Sequence, residues 1–534
     1  MLLPLAAILL LLLAPLARLA VQGWTGAGSA GVGGVAGMGG SPLPSLALLW
    51  QDDYLRWRVL WSVLQATLTC GAALLMGVPM AWVLARFDFA GRELILRLLM
   101  LPFVVPTLVA ALGVLALLGP RGLLSGWLGL DLQGTPWLLI YGNLFFNLCL
   151  VVRAGTEALG QVNARQLAAA RSLGATPWRA FWRVEWPAIA PWLASSLCLV
   201  FLYCFSGFGL ALVLGGQRYA TVEVEIYTLV AHELKLAEAS LLALTTLLVT
   251  GGVALVYARL EKRLAAPARS EPVTRRRPRG PLQWLALASS LIALFLLCLA
   301  PLAAIVGRAL WAGPAAWSVL AEPETLQALW NTLRFSSLAL VLATLLGLAH
   351  ALTAQASVAW RAAAYLPFVV SPVTVAFGLL LLYPQWTASL FLLLAAYALL
   401  AYPFVARSLA AGLDRLPDHL LQAARTLGAG PWRTLWRVTL PLLQPALRRG
   451  MAFAAATALG EFAVTLFLSR PEWATLTTLI YERLGRPGAA NMDAALVLAC
   501  GLMALALLAF LLIEWPADRN PEAGSVAPGK NHHA

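Results

Sequence analysis

The sequence predicts an all-α polytopic membrane protein of about 12 transmembrane helices, arranged as two tandem six-helix repeats. Three observations predict it: an apolar composition, a set of apolar runs of spanning length, and an internal repeat whose copies lie 254 positions apart.

Of the 534 residues, 61% are hydrophobic and only 11% charged, with a mean hydropathy of +0.80. An average soluble domain carries roughly 25% charged residues. This chain cannot keep a surface wet, and a lipid bilayer is the solvent that suits it. The six cysteines (Cys70, Cys149, Cys198, Cys204, Cys298 and Cys500) lie inside apolar runs. None forms a CxxC pair, so they read as small buried hydrophobes rather than a disulfide framework or a zinc site.

A spanning helix needs about 20 mostly apolar residues. Candidates lie near 2–20, 57–85, 94–118, 136–154, 190–215, 239–258, 282–306, 328–353, 362–383, 388–411, 446–468 and 493–515. The first run lacks a basic n-region, and Arg18 stands where a small-residue cleavage site would fall, so it reads as a retained helix. The segments are then 1–56, the first helix with a glycine-rich outer loop (Gly23–Gly40); 57–260, the first half; 261–281, a basic cytoplasmic linker; 282–516, the second half; and 517–534, a polar cytoplasmic tail.

The net charge of +13 is carried almost wholly by arginine, lysine occurring only at Lys235, Lys262 and Lys530. With a cytoplasmic N-terminus, the arginine-bearing loops share one side: Arg86, Arg92 and Arg97; Arg165, Arg171, Arg179 and Arg183; the cluster from Arg259 to Arg279; and Arg415, Arg425, Arg433 and Arg437. The opposite loops are neutral or acidic, as at Glu223, Glu225, Glu233 and Glu238 against Arg218 and Lys235. Such sorting follows the positive-inside rule and removes the case for nucleic acid as a partner of the Arg275–Arg279 stretch.

The repeat is clearest where AAARSLGATPWRAFWRVEWPAIAP (168–191) returns as QAARTLGAGPWRTLWRVTLPLLQP (422–445). One shift pairs Gly174 with Gly428, Pro177 with Pro431, Trp178 with Trp432, Pro187 with Pro441 and Pro191 with Pro445, and later Ile226-Tyr227 with Ile480-Tyr481. Upstream, LPFVVPTLVAALG (101–113) matches LPFVVSPVTVAFG (366–378). Each 24-residue copy reads as a helix–turn–helix. Glycine at 174 or 428 takes the left-handed cap position. Thr176 or Gly430 is the N-cap, and Pro177 or Pro431 suits the first position of the next helix. Two matched elbows on one face can dock a symmetric cytoplasmic partner, which interfacial anchoring of Trp178 and Trp432 alone would not require.

These residues resemble the signature loop of ABC importer permeases: EAA, three residues, glycine, then about nine residues to an apolar–proline pair. The resemblance implies ATPase-docking loops at Ala168, Ala169, Gly174, Pro177 and Pro187, and at Gln422, Ala423, Gly428, Pro431 and Pro441. Ala168 and Gln422 stand where the family has glutamate. WQDDYLRW (50–57), NLFFNL (143–148), the run to VEWP (184–187) and GEFAVTLF (460–467) look most like the thiamine (and thiamine pyrophosphate) importer permeases. That resemblance implies alternating access for thiamine and its phosphate esters, two copies of a separate ATPase subunit and a periplasmic substrate-binding protein. The same machine carrying ferric iron or another small solute is the nearer alternative. A secondary transporter driven by an ion gradient is the distant one; it would need buried charge pairs rather than elbows. The only Gly-Lys pair, Gly529-Lys530, begins no phosphate-binding loop. The chain is therefore read as carrying no cofactor and no bond chemistry, with ATP bound by partner subunits. No metal-ligand spacing occurs; His532 and His533 lie in the polar tail, and His350 reads as a satisfied core histidine.

An ionisable residue within a spanning run is a candidate path residue. Glu461 qualifies, between Gly460 and Phe462, with Gly207 and Phe208 at the matching point of the first half. A carboxylate with aromatic faces (Phe462, Phe208, Tyr203) suits a cation in transit; alternatively Glu461 satisfies freed backbone groups of a kinked helix.

The topology is directly testable. A reporter active only in the cytoplasm should give signal when fused after Arg277 and none after Gln217, because arginine-rich loops resist translocation. The reverse pattern would invert the assignment, elbows included.

Overall fold

The computed structural model describes residues 2–26, 51–129, 132–264, 273–354, 357–387, 389–468 and 470–514. Most of the glycine-rich loop, Trp50, part of the basic linker and the polar tail lie outside these residues. Secondary structure among the described residues is helical, apart from one isolated parallel bridge between Phe87 and Arg276.

Among the described residues, ten helices are long and apolar enough to cross a membrane: Leu3–Gly23, Asp53–Arg86, Thr107–Gly126, Pro136–Gly160, Pro177–Phe205, Leu236–Glu261, Pro281–Trp311, Pro323–Thr353, Leu390–Leu413 and Ala489–Glu514. The two other expected spans are helical but differ in kind. Near 362–383 the chain is divided into Val358–Ala363, Leu366–Val369 and Pro372–Leu382, with Pro367 and Pro372 punctuating it. Leu440–Leu459 has the length but carries Arg448 and Arg449, which lower its hydropathy. The total of about 12 in two tandem six-helix repeats stands.

Proline shapes four of these helices in one way. Each of Pro15, Pro187, Pro301 and Pro441 follows a π-helical turn by two residues: Leu9–Leu13, Phe181–Glu185, Phe295–Leu299 and Leu435–Thr439. Proline lacks an N–H and crowds the carbonyl four residues back. One widened turn absorbs the missing bond without ending the helix.

The first helix of each half reaches across to the other half. Ile8 and Leu12 are buried in a core of second-half residues including Phe335, Tyr397 and Leu443. Leu19 of the same helix, with Leu294, Cys298 and Ile305, belongs to a core built largely of first-half residues. Glycine permits the closest approaches, at matching positions. A Cβ on Gly113 would lie 2.8 Å from the Pro301 carbonyl oxygen, and one on Gly378 2.9 Å from Pro15 Cβ. Tyr383 Oη donates to the Leu10 carbonyl (3.0 Å) and Tyr141 Oη to the Leu296 carbonyl (2.7 Å), using acceptors in the two π turns.

One expected outer loop is instead a buried helix, Val222–Ala231. Its Glu223 and Glu225 are buried because each finds a partner. Glu225 meets Arg58 Nε at 3.2 Å and Tyr54 Oη at 3.0 Å, and Glu223 accepts from Ser371 Oγ at 2.7 Å. The equivalent second-half helix, Leu476–Gly485, is seated the same way. Val222 N–H donates to Ser62 Oγ (2.8 Å), and Leu476 N–H to Thr332 Oγ1 (2.9 Å).

This crossing predicts a sharp contrast. Gly113→Val should drive a side chain into the Pro301 backbone and cost about 1–3 kcal/mol by overpacking, read as a lower melting midpoint in detergent. Gly71→Val, where an added Cβ would meet nothing within 4 Å, should keep the midpoint; equal losses in both would refute the packing account.

Candidate functional site: the cavity between the halves and the paired elbows

Four spanning segments break around one cavity. In the first half, Leu101–Val104 stops before Pro106, and Pro177–Phe205 stops at Ser206-Gly207 before Phe208–Leu214. In the second, Leu366–Val369 stops before Ser371, and Leu440–Leu459 stops at Gly460 and Glu461 before Ala463–Leu468. Freed backbone groups in a membrane protein must be satisfied by protein or cavity water. Pro106 has no N–H to satisfy. Ser371 Oγ accepts from Thr374 N–H at 3.0 Å. Glu461 Oε1 accepts from Val464 N–H at 3.0 Å, while the Glu461 carbonyl accepts from Thr465 and Thr477, both at 3.2 Å. The carboxylate thus serves the broken backbone and also lines the cavity.

The cavity is about 240 Å³ and is lined by matched residues of both halves, including Phe103 and Phe368, Ser206 and Gly460, Gly207 and Glu461, and Phe208 and Phe462. All five sequence-predicted path residues (Gly207, Phe208, Gly460, Glu461, Phe462) are therefore brought together at one place. Phe208 and Phe462, one from each half, form an offset stack with centroids 5.8 Å apart. Tyr227 sits edge-on to Phe208 at 5.6 Å and Tyr481 lies 5.3 Å from Phe462, so four rings close this side. The rest of the wall includes Phe103, Phe146, Tyr203, Phe368 and Phe404. Phe103 lies 5.7 Å from Phe146 and 5.6 Å from Tyr203. Arg407 lies beyond, its guanidinium over Tyr365 (4.7 Å) and Phe368 (5.6 Å).

Sequence reasoning missed the breaks at 105–106 and 370–371, although the paired prolines of LPFVVP and LPFVVSP carry the signal. It also missed Glu223, which joins the halves through Ser371. His350 is buried, stacked on Trp360 at 4.4 Å, with Nε2 2.9 Å from the Trp360 carbonyl; Nδ1 has no partner.

The elbows take the local form expected. Gly174 and Gly428 have φ of +81° and +75°. In each, the glycine N–H bonds the carbonyl three residues back and the next N–H the carbonyl five back: Gly174 to Arg171 and Ala175 to Ala170; Gly428 to Arg425 and Ala429 to Ala424, all at 3.0 Å. This is the glycine-terminated helix end in which left-handed φ frees the chain to turn. Thr176 Oγ1 accepts from Arg179 N–H (3.3 Å), while Gly430 offers no side-chain cap. Ala168, Ala169, Gly174, Pro177 and Pro187 are exposed, as are Gln422, Ala423, Gly428, Pro431 and Pro441. Beside them Leu173 and Leu427 are 88% and 87% exposed, and Trp178 and Trp432 70% and 71%. Two apolar knobs of matched shape stand open.

The first elbow is also tied inward. Glu185, buried at the base of the elbow helix, accepts from Arg86 Nη2 at 2.5 Å and Trp82 Nε1 at 3.1 Å. Thr439 occupies the equivalent place in the second half.

Paired elbows joined by long helices to a cavity between two repeats fit one class, the membrane subunit of a transport machine. The sequence profile described as binding-protein-dependent transport system inner membrane component matches residues 73–266 and 281–517. The chain belongs to that family and is a multi-pass inner-membrane protein. It is similar to the thiamine transport system permease protein ThiP of Escherichia coli K12, 30% identical over 504 residues, covering 90% of this chain and 92% of the relative. The Brucella abortus (strain 2308) protein of the same name is 31% identical over 480 residues, covering 86% and 87%. The sulfate transport system permease protein CysT of Escherichia coli K12 is 31% identical over 199 residues, 34% of this chain.

The Arg86–Glu185 pair makes a stability prediction. Arg86→Met leaves a buried carboxylate short of its cation, a loss of about 3–5 kcal/mol. The double variant Arg86→Met/Glu185→Gln should regain most of it, as detergent melting would show. A double variant no more stable than the single would disprove the pairing.

Proposed function

We propose that this chain is the permease subunit of an ABC importer that carries thiamine, and its phosphate esters, across the inner membrane by alternating access. The observation that carries the reading is the coincidence of a duplicated cytoplasmic elbow with a cavity at the junction of the two halves. Two ATPase subunits dock on the elbows, one each, and bind and hydrolyse ATP; a periplasmic binding protein delivers cargo to the opposite face. This chain holds no cofactor and makes or breaks no covalent bond.

Each elbow continues directly into a helix that runs to the cavity: Pro177–Phe205 in the first half and 431–459 in the second. Closing the ATPases draws the elbows together, and rigid helices carry that movement to the breaks at Gly207 and Glu461. There the Phe208–Phe462 stack separates or re-forms. At about 240 Å³ the cavity falls just below the roughly 300–1,000 Å³ usual for ligand sites, so cargo passes only as the halves part. An organic cation suits the lining: aromatic faces attract it, each contact worth about 0.5–2 kcal/mol, and Glu461 adds one negative charge. The weakness of such a site is functional, since a tight one would trap its cargo.

Purified permease, reconstituted in liposomes with its ATPase and binding protein, should import labelled thiamine only with ATP; no uptake with all three present would end this reading. In the same assay Glu461→Gln should import several-fold more slowly at a normal protein level. Wild-type rates for Glu461→Gln, with loss of protein in Glu461→Leu, would make the residue purely a backbone cap.

A further inference from the structure

Asn147 lines the cavity beside Phe146 and Tyr203 and is 1% exposed. Its Nδ2 donates to the Asn143 carbonyl at 3.0 Å and touches Cys204 Sγ at 3.4 Å. A carbonyl only accepts, so the amide nitrogen belongs on that side and Oδ1 faces away from it. Oδ1 makes no hydrogen bond. An unpaired buried acceptor is costly, and folded proteins rarely keep one without a use.

The fold itself does not call for this amide. The matching second-half residue is Ala401, and that half holds the same helix in the same place without a polar group there. The two residues that hold Asn147, Asn143 and Cys204, are themselves tied together through Gln65. Gln65 Nε2 donates to the Cys204 carbonyl (2.9 Å), and Asn143 Nδ2 donates to Gln65 Oε1 (2.7 Å). With its nitrogen held by the Asn143 carbonyl and Cys204 Sγ, the amide is pre-organised for one direction of approach.

We propose that Asn147 Oδ1 is a specificity contact that accepts a hydrogen bond from the exocyclic amino group of a flat, aminated heteroaromatic cargo in transit. The inference rests on the thiamine reading, whose aminopyrimidine ring supplies such a donor. The ring lies against Phe103, Phe146 and Tyr203, and its amino group meets Oδ1. The cationic ring is left towards Glu461, which lines the same cavity. In the closed state Oδ1 is covered, and separation of the halves uncovers it together with the aromatic wall. The orphaned acceptor thus belongs to the resting state, and the cargo satisfies it during passage.

The test compares uptake of thiamine with that of oxythiamine, in which an oxo group replaces the amino group, in the reconstituted system. The binding protein is the same in every arm, so its own preference cancels between permease variants. The uptake ratio belongs to each surviving permease molecule and does not depend on how much of it inserts. Asn147→Leu, of similar volume and without an acceptor, should lower the thiamine-to-oxythiamine ratio about tenfold, the equivalent of one hydrogen bond of ~1.4 kcal/mol. Asn147→Ser, whose hydroxyl is set back from the cavity, should lower it as well, and Asn147→Asp, which keeps an acceptor, should retain it. An unchanged ratio in the leucine and serine variants, with wild-type thiamine uptake intact, overturns this inference alone and leaves Oδ1 to a buried water. Absence of wild-type thiamine uptake removes the thiamine reading and this inference with it.

Discussion

A helix inside a bilayer can be broken only where something other than lipid covers the opened backbone. Four segments of this protein break, and all four breaks line the same cavity. Each is sealed by different means: a proline without an N–H at Pro106, a serine cap at Ser371, a carboxylate at Glu461 and close packing at Gly207, where a Cβ would lie 2.9 Å from the Tyr203 carbonyl oxygen. The rest of the architecture closes around that requirement. The first helices, each reaching across to the other half, clamp the halves together, and the Phe208–Phe462 stack covers the breaks from one side.

The same breaks lie at the ends of long helices. The helix from Pro177 to Phe205 has 29 residues and rises about 43 Å at 1.5 Å per residue. One continuous helix therefore joins an exposed elbow to the cavity. The π turn at Phe181–Glu185, next to the elbow, is the one irregular stretch in that helix before its interior proline. Its last residue, Glu185, is bonded to Arg86 and Trp82. The first elbow is thus coupled to Asp53–Arg86 through a buried ion pair, while Thr439 leaves the second without one.

Duplication supplied the scaffold, and divergence placed the polar groups. Gly174 and Gly428, Phe208 and Phe462, Tyr227 and Tyr481, and the four π turns recur in both halves because they set backbone geometry and inter-half packing. Glu461 opposite Gly207, Asn147 opposite Ala401, Glu223 opposite Thr477 and Glu185 opposite Thr439 occur once each. A cargo that is itself asymmetric meets different chemistry from the two sides of a nearly symmetric cavity.

Much of this was legible in the chain. Apolar runs of spanning length fix helices because a backbone in hydrocarbon has few alternatives. The elbows were legible because glycine, threonine and proline act on their immediate neighbours, and φ at Gly174 and Gly428 follows from local sterics. The glycine break near Glu461 was readable for the same reason. Only the tertiary structure decided that Leu3–Gly23 packs against both halves and Pro281–Trp311 largely against the first, that Glu223 is buried against Ser371, that breaks far apart in sequence enclose one cavity, and that Asn147 is left with an unpaired oxygen. Local pattern says that a helix has an apolar face but not which distant face will cover it. A charge such as Glu223 reads as solvent-facing until the partner that lets it be buried is brought alongside from 148 positions away.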